Sequence, residues 1–135
     1  MPEFFVGQVL PELRVPVTRS TVVRYSGAST DFNEIHFSDR HAQLIGLPGV
    51  VAHGMWTMGA GLKLITDAVG DPARVLSYFV RFTRPVVVPD TDEGTEVVYT
   101  AEVTEVTETT AKLAVTASCG GEAVLGAARA EVRIV

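Results

Sequence analysis

The 135-residue chain carries a formal net charge of −5, with 47% hydrophobic and 20% charged residues, which suits one compact domain with a real core and excludes a disordered chain. Sixteen Asp and Glu against eleven Lys and Arg argue against a nucleic-acid partner, because a phosphate-backbone binder gathers cations on one face. A mean hydropathy of +0.26 places part of the apolar excess in an expected subunit interface.

The start, Met-Pro-Glu-Phe-Phe, lacks a basic leader followed by a long apolar stretch, and no window holds the roughly 18 apolar residues that cross a bilayer. The expectation is a soluble, cytoplasmic protein without a membrane partner. Cys119 is the single cysteine, so an internal disulfide and a thiolate metal cluster are both excluded. Its place after Leu113, Val115 and Ala117 in an alternating run predicts a buried, inert thiol.

Residues 1–17 read as an extended lead-in, because Pro11 and Pro16 prevent a helix through them. Thr18 is placed to cap a short helix over 19–28, ending among Gly27, Ser29 and Thr30. From Asp31 the pattern loses its period. A second short helix is predicted from Ser38 as N-cap, with Asp39 in its first turn, to a stop at Gly46 and Pro48. Residues 55–69 are apolar nearly all round and end at Gly70-Asp71-Pro72, the pattern of a helix buried on every side. Gly54, Gly59 and Gly61 each cost that helix roughly 1 kcal/mol against alanine, so close approach by a backbone or a ligand is expected there.

The second half changes character. Residues 73–88 are rich in Val, Phe and Tyr, and residues 96–106 alternate, with Val97, Tyr99, Ala101 and Val103 on one face. Lys112 to Cys119 repeats the alternation, and Cys119-Gly-Gly-Glu122 supplies a hairpin turn. In the last strand the apolar phase runs through Ala123 and Leu125, then shifts to Ala128, Ala130, Val132 and Ile134, which predicts a bulge at Gly126. The expected architecture is α+β, one long buried helix wrapped by one curved antiparallel sheet, with a meander of about four strands and room for a fifth near the N-terminus.

The aperiodic segment carries the chemistry. Asp31 and His36 are five residues apart in a loop, where a carboxylate and an imidazole can meet as a general acid and base. Spacing alone equally suits a cap and a surface residue. Zinc is not expected at His36, His41 and His53, which match no recognised ligand spacing. His41 is expected on an exposed helix face beside Arg40, and His53 at the approach to the long helix. Pro48, Gly49 and Gly54 turn the chain into that helix, whose free N–H groups form an oxyanion site, although Gly54 is as well explained by the tight turn alone.

Asp31-Phe32-Asn33-x-Ile35-His36, then "GLPGVVAHGMWTMG" at 46–59 and "GDPARVLSYFVRFTRPVVVPDT" at 70–91, resemble the MaoC-like family of (R)-specific enoyl-thioester hydratases and dehydratases with a hot dog fold. The likeness covers nearly the whole chain and is strongest to the catalytic subunits of heterodimeric (3R)-hydroxyacyl-ACP dehydratases. It implies a single hot dog domain over 1–135 in which Asp31 and His36 are the catalytic pair and the Gly54 N–H meets the thioester carbonyl. It implies acyl-CoA or acyl-ACP as substrate, no cofactor or metal, and a homodimer or a heterodimer with a second hot dog subunit. Asn33 would support the loop; Met55, Trp56, Met58 and Leu62 would line an acyl channel, though core packing explains them equally well; Arg81 and Arg84 would reach phosphates, though exposed strand arginines are mostly just solvated. Competing readings are a hot dog thioesterase and a non-catalytic partner subunit; the retained Asp31 and His36 speak against both. Glu34 stands where the family usually has proline.

Overall fold

The computed structural model describes residues 3–135. An antiparallel sheet is formed by β1 (Leu13–Val17), β2 (Val75–Phe82), β3 (Thr95–Val106), β4 (Thr110–Cys119), β5 (Glu122–Ala123) and β6 (Leu125–Arg133). The helices are α1 (Arg19–Ser29), α2 (Asp39–Leu44) and α3 (Gly54–Val69), with short 3-10 turns at Glu34–His36 and Pro72–Arg74. The strand order is β1-β3-β4-β6-β2, with β5 against β4. The expected four-strand meander is therefore corrected. β2 leaves α3 and pairs with β6 at the far edge, so only β3, β4 and the β5–β6 segment run as consecutive neighbours.

Alternation decides which residues form the core. Val97, Tyr99, Ala101 and Val103 of β3 and Ala111, Leu113, Val115 and Ala117 of β4 are all buried, as the period of two requires. They face α3 along Thr57, Gly61, Leu64, Ile65 and Val69, the 3-4 spacing of one helical face. The Tyr99 hydroxyl donates to the Thr57 carbonyl at 2.7 Å, and the Tyr78 hydroxyl donates to the Met58 carbonyl at 2.9 Å. Burial pushes the Tyr78 phenol up to about 12 and the Tyr99 phenol higher still, so both remain donors. A methyl group on Gly61 would meet the Tyr99 ring at 2.6 Å, which is the close approach expected of that glycine.

Four expectations change. α3 is buried on one side only: Met55 is 60% exposed and Gly59 faces open space, because one sheet can cover one face of a helix. The bulge lies one residue beyond Gly126, at Ala127 with φ 48°, where Phe79 pairs with Arg129 and Arg81 with Gly126. Before it, Val124 rather than Ala123 turns inward. Cys119 is only half-buried, since it ends β4, and its Sγ lies 3.2 Å from Thr95 Oγ1.

Capping follows the sequence closely. Thr18 and Thr21 form a reciprocal capping box at α1, Ser38 accepts the His41 N–H at α2, and Gly70 closes α3 with φ 77°. No helix among the described residues is long and apolar enough to cross a membrane.

Candidate active site

α1 ends at Thr30, whose φ of 61° lies in the left-handed region although threonine is β-branched. That turn throws Asp31 clear of the helix. The Asn33 N–H donates to Asp31 Oδ1 at 3.2 Å, and the Ile35 N–H donates to Asn33 Oδ1 at 3.2 Å, so two successive Asx turns shape the loop. Asn33 thus holds the segment between Asp31 and His36 by backbone contacts. The 3-10 turn then carries His36 inward, leaving its side chain 7% exposed against 52% for Asp31.

His36 is fixed from the other side by an extended segment that the sequence pattern did not announce. The Val51 N–H donates to the Ile35 carbonyl at 3.1 Å, and His36 Nδ1 lies 2.7 Å from the Val51 carbonyl. A carbonyl only accepts, so Nδ1 carries the proton and Nε2 is the atom left for chemistry. Nε2 lies 3.7 Å from Asp31 Oδ2, longer than a hydrogen bond and close enough for both atoms to grip one oxygen between them. Residues 50–52 in turn pair with 86–88, through Ala52 N–H to the Val86 carbonyl at 2.9 Å and Val88 N–H to the Val50 carbonyl at 2.8 Å.

A second clamp holds this ladder. Arg19 donates to both Asp39 oxygens at 2.9 and 3.1 Å and to the Val88 carbonyl at 2.7 Å, while Asp39 accepts the Val50 N–H at 2.9 Å. The Val50 N–H first, and then Arg19, hold the Asp39 carboxyl below its ordinary range. A methyl group on Gly49 would meet Asp39 Oδ1 at 2.9 Å, so the clamp needs that glycine.

His53 occupies the N-cap position of α3 without a side-chain cap bond, leaving the first N–H groups of the helix unsatisfied by its own residues. The first of them, on Gly54, borders a cavity of about 510 Å³ whose lining includes Asp31, Asn33, His36 and Thr57. Its other walls are largely apolar, among them Ile35, Val51, Phe82, Val86 and Val124. The structure therefore brings Asp31, Asn33, His36 and Gly54 to one opening, at a helix N-terminus that favours developing negative charge.

The remaining expected residues divide between the cavity and other places. Arg84 lines the cavity and reaches Glu122 at 3.4 Å, whereas Arg81 is exposed on β2 and is not among the lining residues. Met55, Trp56, Met58 and Leu62 do not line this cavity; Trp56 and Leu62 pack against the core instead. His41 is half-buried rather than free on a surface, with Nδ1 3.1 Å from Glu34 Oε2. That contact accounts for Glu34, which ties the 3-10 turn to α2.

Donor atoms of Asp31, His36 and His53 lie within 4.8 Å of one another, so the sequence-level exclusion of metal needs a geometric test. The two rings are stacked at 3.6 Å and 19°, and the lone pairs of parallel rings do not converge on one ion. His53 Nε2 also faces the Asp31 carbonyl at 3.1 Å, which requires a proton on that nitrogen. The set does not fit a metal.

The model of the MaoC like domain family matches residues 6–119. The chain is 38% identical over 81 residues to 3-hydroxyacyl-thioester dehydratase X of Mycobacterium tuberculosis, covering 60% of this chain and 28% of that protein. It is 32% identical over 102 residues to the peroxisomal enoyl-CoA hydratase 2 of Arabidopsis thaliana, covering 70% of this chain and 32% of that protein. Among solved structures, a MaoC-like dehydratase superposes with a TM-score of 0.94 at 34% identity, covering 98% of this chain and 41% of that one. The matches thus span less than a third of either curated relative.

Proposed function

Because the chain belongs to the MaoC-like dehydratase domain family and has its hot dog fold, we propose that it hydrates trans-2-enoyl thioesters to (3R)-hydroxyacyl thioesters and catalyses the reverse dehydration. The observation that carries this reading is the convergence of His36 Nε2, Asp31 Oδ2 and the uncapped α3 N-terminus on one cavity. The names of both curated relatives, a dehydratase and an enoyl-CoA hydratase, describe the two directions of that reaction.

A 2-enoyl thioester is electrophilic at C3. Hydration adds hydroxide to C3 and a proton to C2, with negative charge on the thioester oxygen between the two events. Asp31 and His36 Nε2 grip the attacking water and exchange its proton, and the protonated member of the pair delivers a proton to C2. The thioester oxygen sits at the Gly54 N–H, where one backbone donor plus the helix dipole stabilises the enolate by roughly 3 kcal/mol. The apolar wall takes the acyl chain, while Arg84 at the rim offers a cation to a phosphate of the carrier. The chemistry asks for no cofactor.

The exposed edge of β2 joins a second hot dog unit, a copy of this chain or a diverged sibling, and the protein acts in the cytoplasm in fatty-acid metabolism. The test is to incubate the purified chain, alone and with a co-expressed neighbouring hot dog subunit, with trans-2-enoyl-CoA substrates of increasing length. Loss of enoyl absorbance with (3R)-hydroxyacyl product supports the proposal. Release of free thiol without hydration would instead make the protein a thioesterase.

A further inference from the structure

His53 lies outside the reaction as derived above, yet its side chain is held on every side. The residue is 3% exposed, its ring stacks on that of His36 at 3.6 Å, and Tyr25 lies 4.7 Å away on its other flank. Nε2 is 3.1 Å from the main-chain carbonyl of Asp31 and 3.2 Å from Ser26 Oγ. Nδ1 is buried with no hydrogen-bond partner among the described residues. We propose that His53 is the positioning residue of the Asp31–His36 pair, its ring fixing the plane of His36 while its Nε2–H holds the backbone of Asp31. The inference rests on the pair's role proposed above.

Histidine suits both tasks at once. A phenyl ring would stack and donate nothing; an amide would donate and stack poorly. The side chain also has to stay neutral. A proton on Nδ1 would be buried without an acceptor and would set a cation face to face with His36. The titratable groups facing His53 are Tyr25 from α1, Asp31 from the loop and His36 from the 3-10 turn; Ser26 and Thr57 add only hydroxyls. Burial, reinforced by His36, outweighs Asp31 and holds the His53 imidazole below its ordinary 6.5. The unfolded chain therefore takes up more protons than the folded one below about pH 6.5, and His53 withdraws stability as the pH falls through that range.

The experiment compares wild type with His53→Phe and His53→Gln. For His53→Phe, kcat for enoyl-thioester hydration should fall about 10²-fold while KM changes little, since a misplaced pair loses turnover rather than binding. His53→Gln, which restores the donor, should recover part of that loss. An independent readout is ¹⁵N NMR of the histidine rings in the full wild-type chain as purified. Near pH 8 it should show His53 as the Nε2–H tautomer and neutral His36 as the Nδ1–H tautomer. Unchanged kcat in His53→Phe, or a His53 that carries its proton on Nδ1 at that pH, would overturn the proposal. If the wild type hydrates no enoyl thioester while both tautomers are as stated, the assigned reaction fails and the arrangement stands; if it is active and His53→Phe matches it, the positioning role alone fails.

Discussion

At the scale of single residues, Gly54 and Asp39 separate catalysis from stability. A methyl group on Gly54 would lie 3.1 Å from the Phe82 ring, which is 54% exposed and free to swing aside. Gly54→Ala should therefore keep its melting temperature while narrowing the approach to the helix N-terminus. Steady-state kinetics are expected to show kcat/KM reduced about 10²-fold, the scale of an ångström-sized misplacement. Asp39 behaves in the opposite way. Its carboxyl titrates below the ordinary 3.8 because the Val50 N–H and Arg19 favour the charged form. Its contribution is present above the unfolded value and is lost as the pH falls through the lower, folded one. Asp39→Asn should lower the melting temperature at neutral pH and show a flatter decline than wild type below about pH 4 in a thermal melt series.

At the scale of elements, the α3–β3 contact sets the depth of the fold. Tyr99 is fully buried and pinned through its hydroxyl, so its ring cannot yield to a methyl group on Gly61 at 2.6 Å. Gly61→Ala should cost about 1–3 kcal/mol in chemical denaturation, the usual penalty of overpacking. Elements of this kind were legible in the sequence wherever a period or a cap governs them. β3 and β4 alternate cleanly, Thr18 and Ser38 cap as their chemistry requires, and Gly70 supplies the left-handed stop. What periodicity cannot supply is the neighbour of a strand, since alternation assigns faces and not partners; hence β2 beside β6 was not foreseen. The ladder of residues 50–52 against 86–88 was equally hidden, because Val-Val-Ala has no period and its bonds are to a distant segment. The Asp31 and His36 positions stood out through a motif likeness, whereas the stacking of His53 on His36 leaves no mark on spacing at all.

At the scale of the whole molecule, the sheet has an unprotected margin. β2 is an edge strand of eight residues that exposes Leu76, Phe79 and Phe82 and carries no proline, while α3 leaves Met55 uncovered nearby in the same chain. Long apolar edges favour pairing with another strand. Analytical ultracentrifugation should find the chain as a dimer when no other hot dog subunit is present, and Leu76→Lys should shift it toward monomer without unfolding it. A wild-type monomer would remove the pairing of two copies through β2 and leave a diverged sibling as the partner.

The proposed hydration turns on two side chains meeting across 3.7 Å, His36 Nε2 and Asp31 Oδ2. The most direct measurement is the hydration rate of a trans-2-enoyl-CoA by wild type, Asp31→Asn and His36→Ala, each checked for an unchanged fold by circular dichroism. Each variant is predicted to lose about 10²–10⁴-fold in kcat, the range for a general acid or base. Full activity in either folded variant would contradict it.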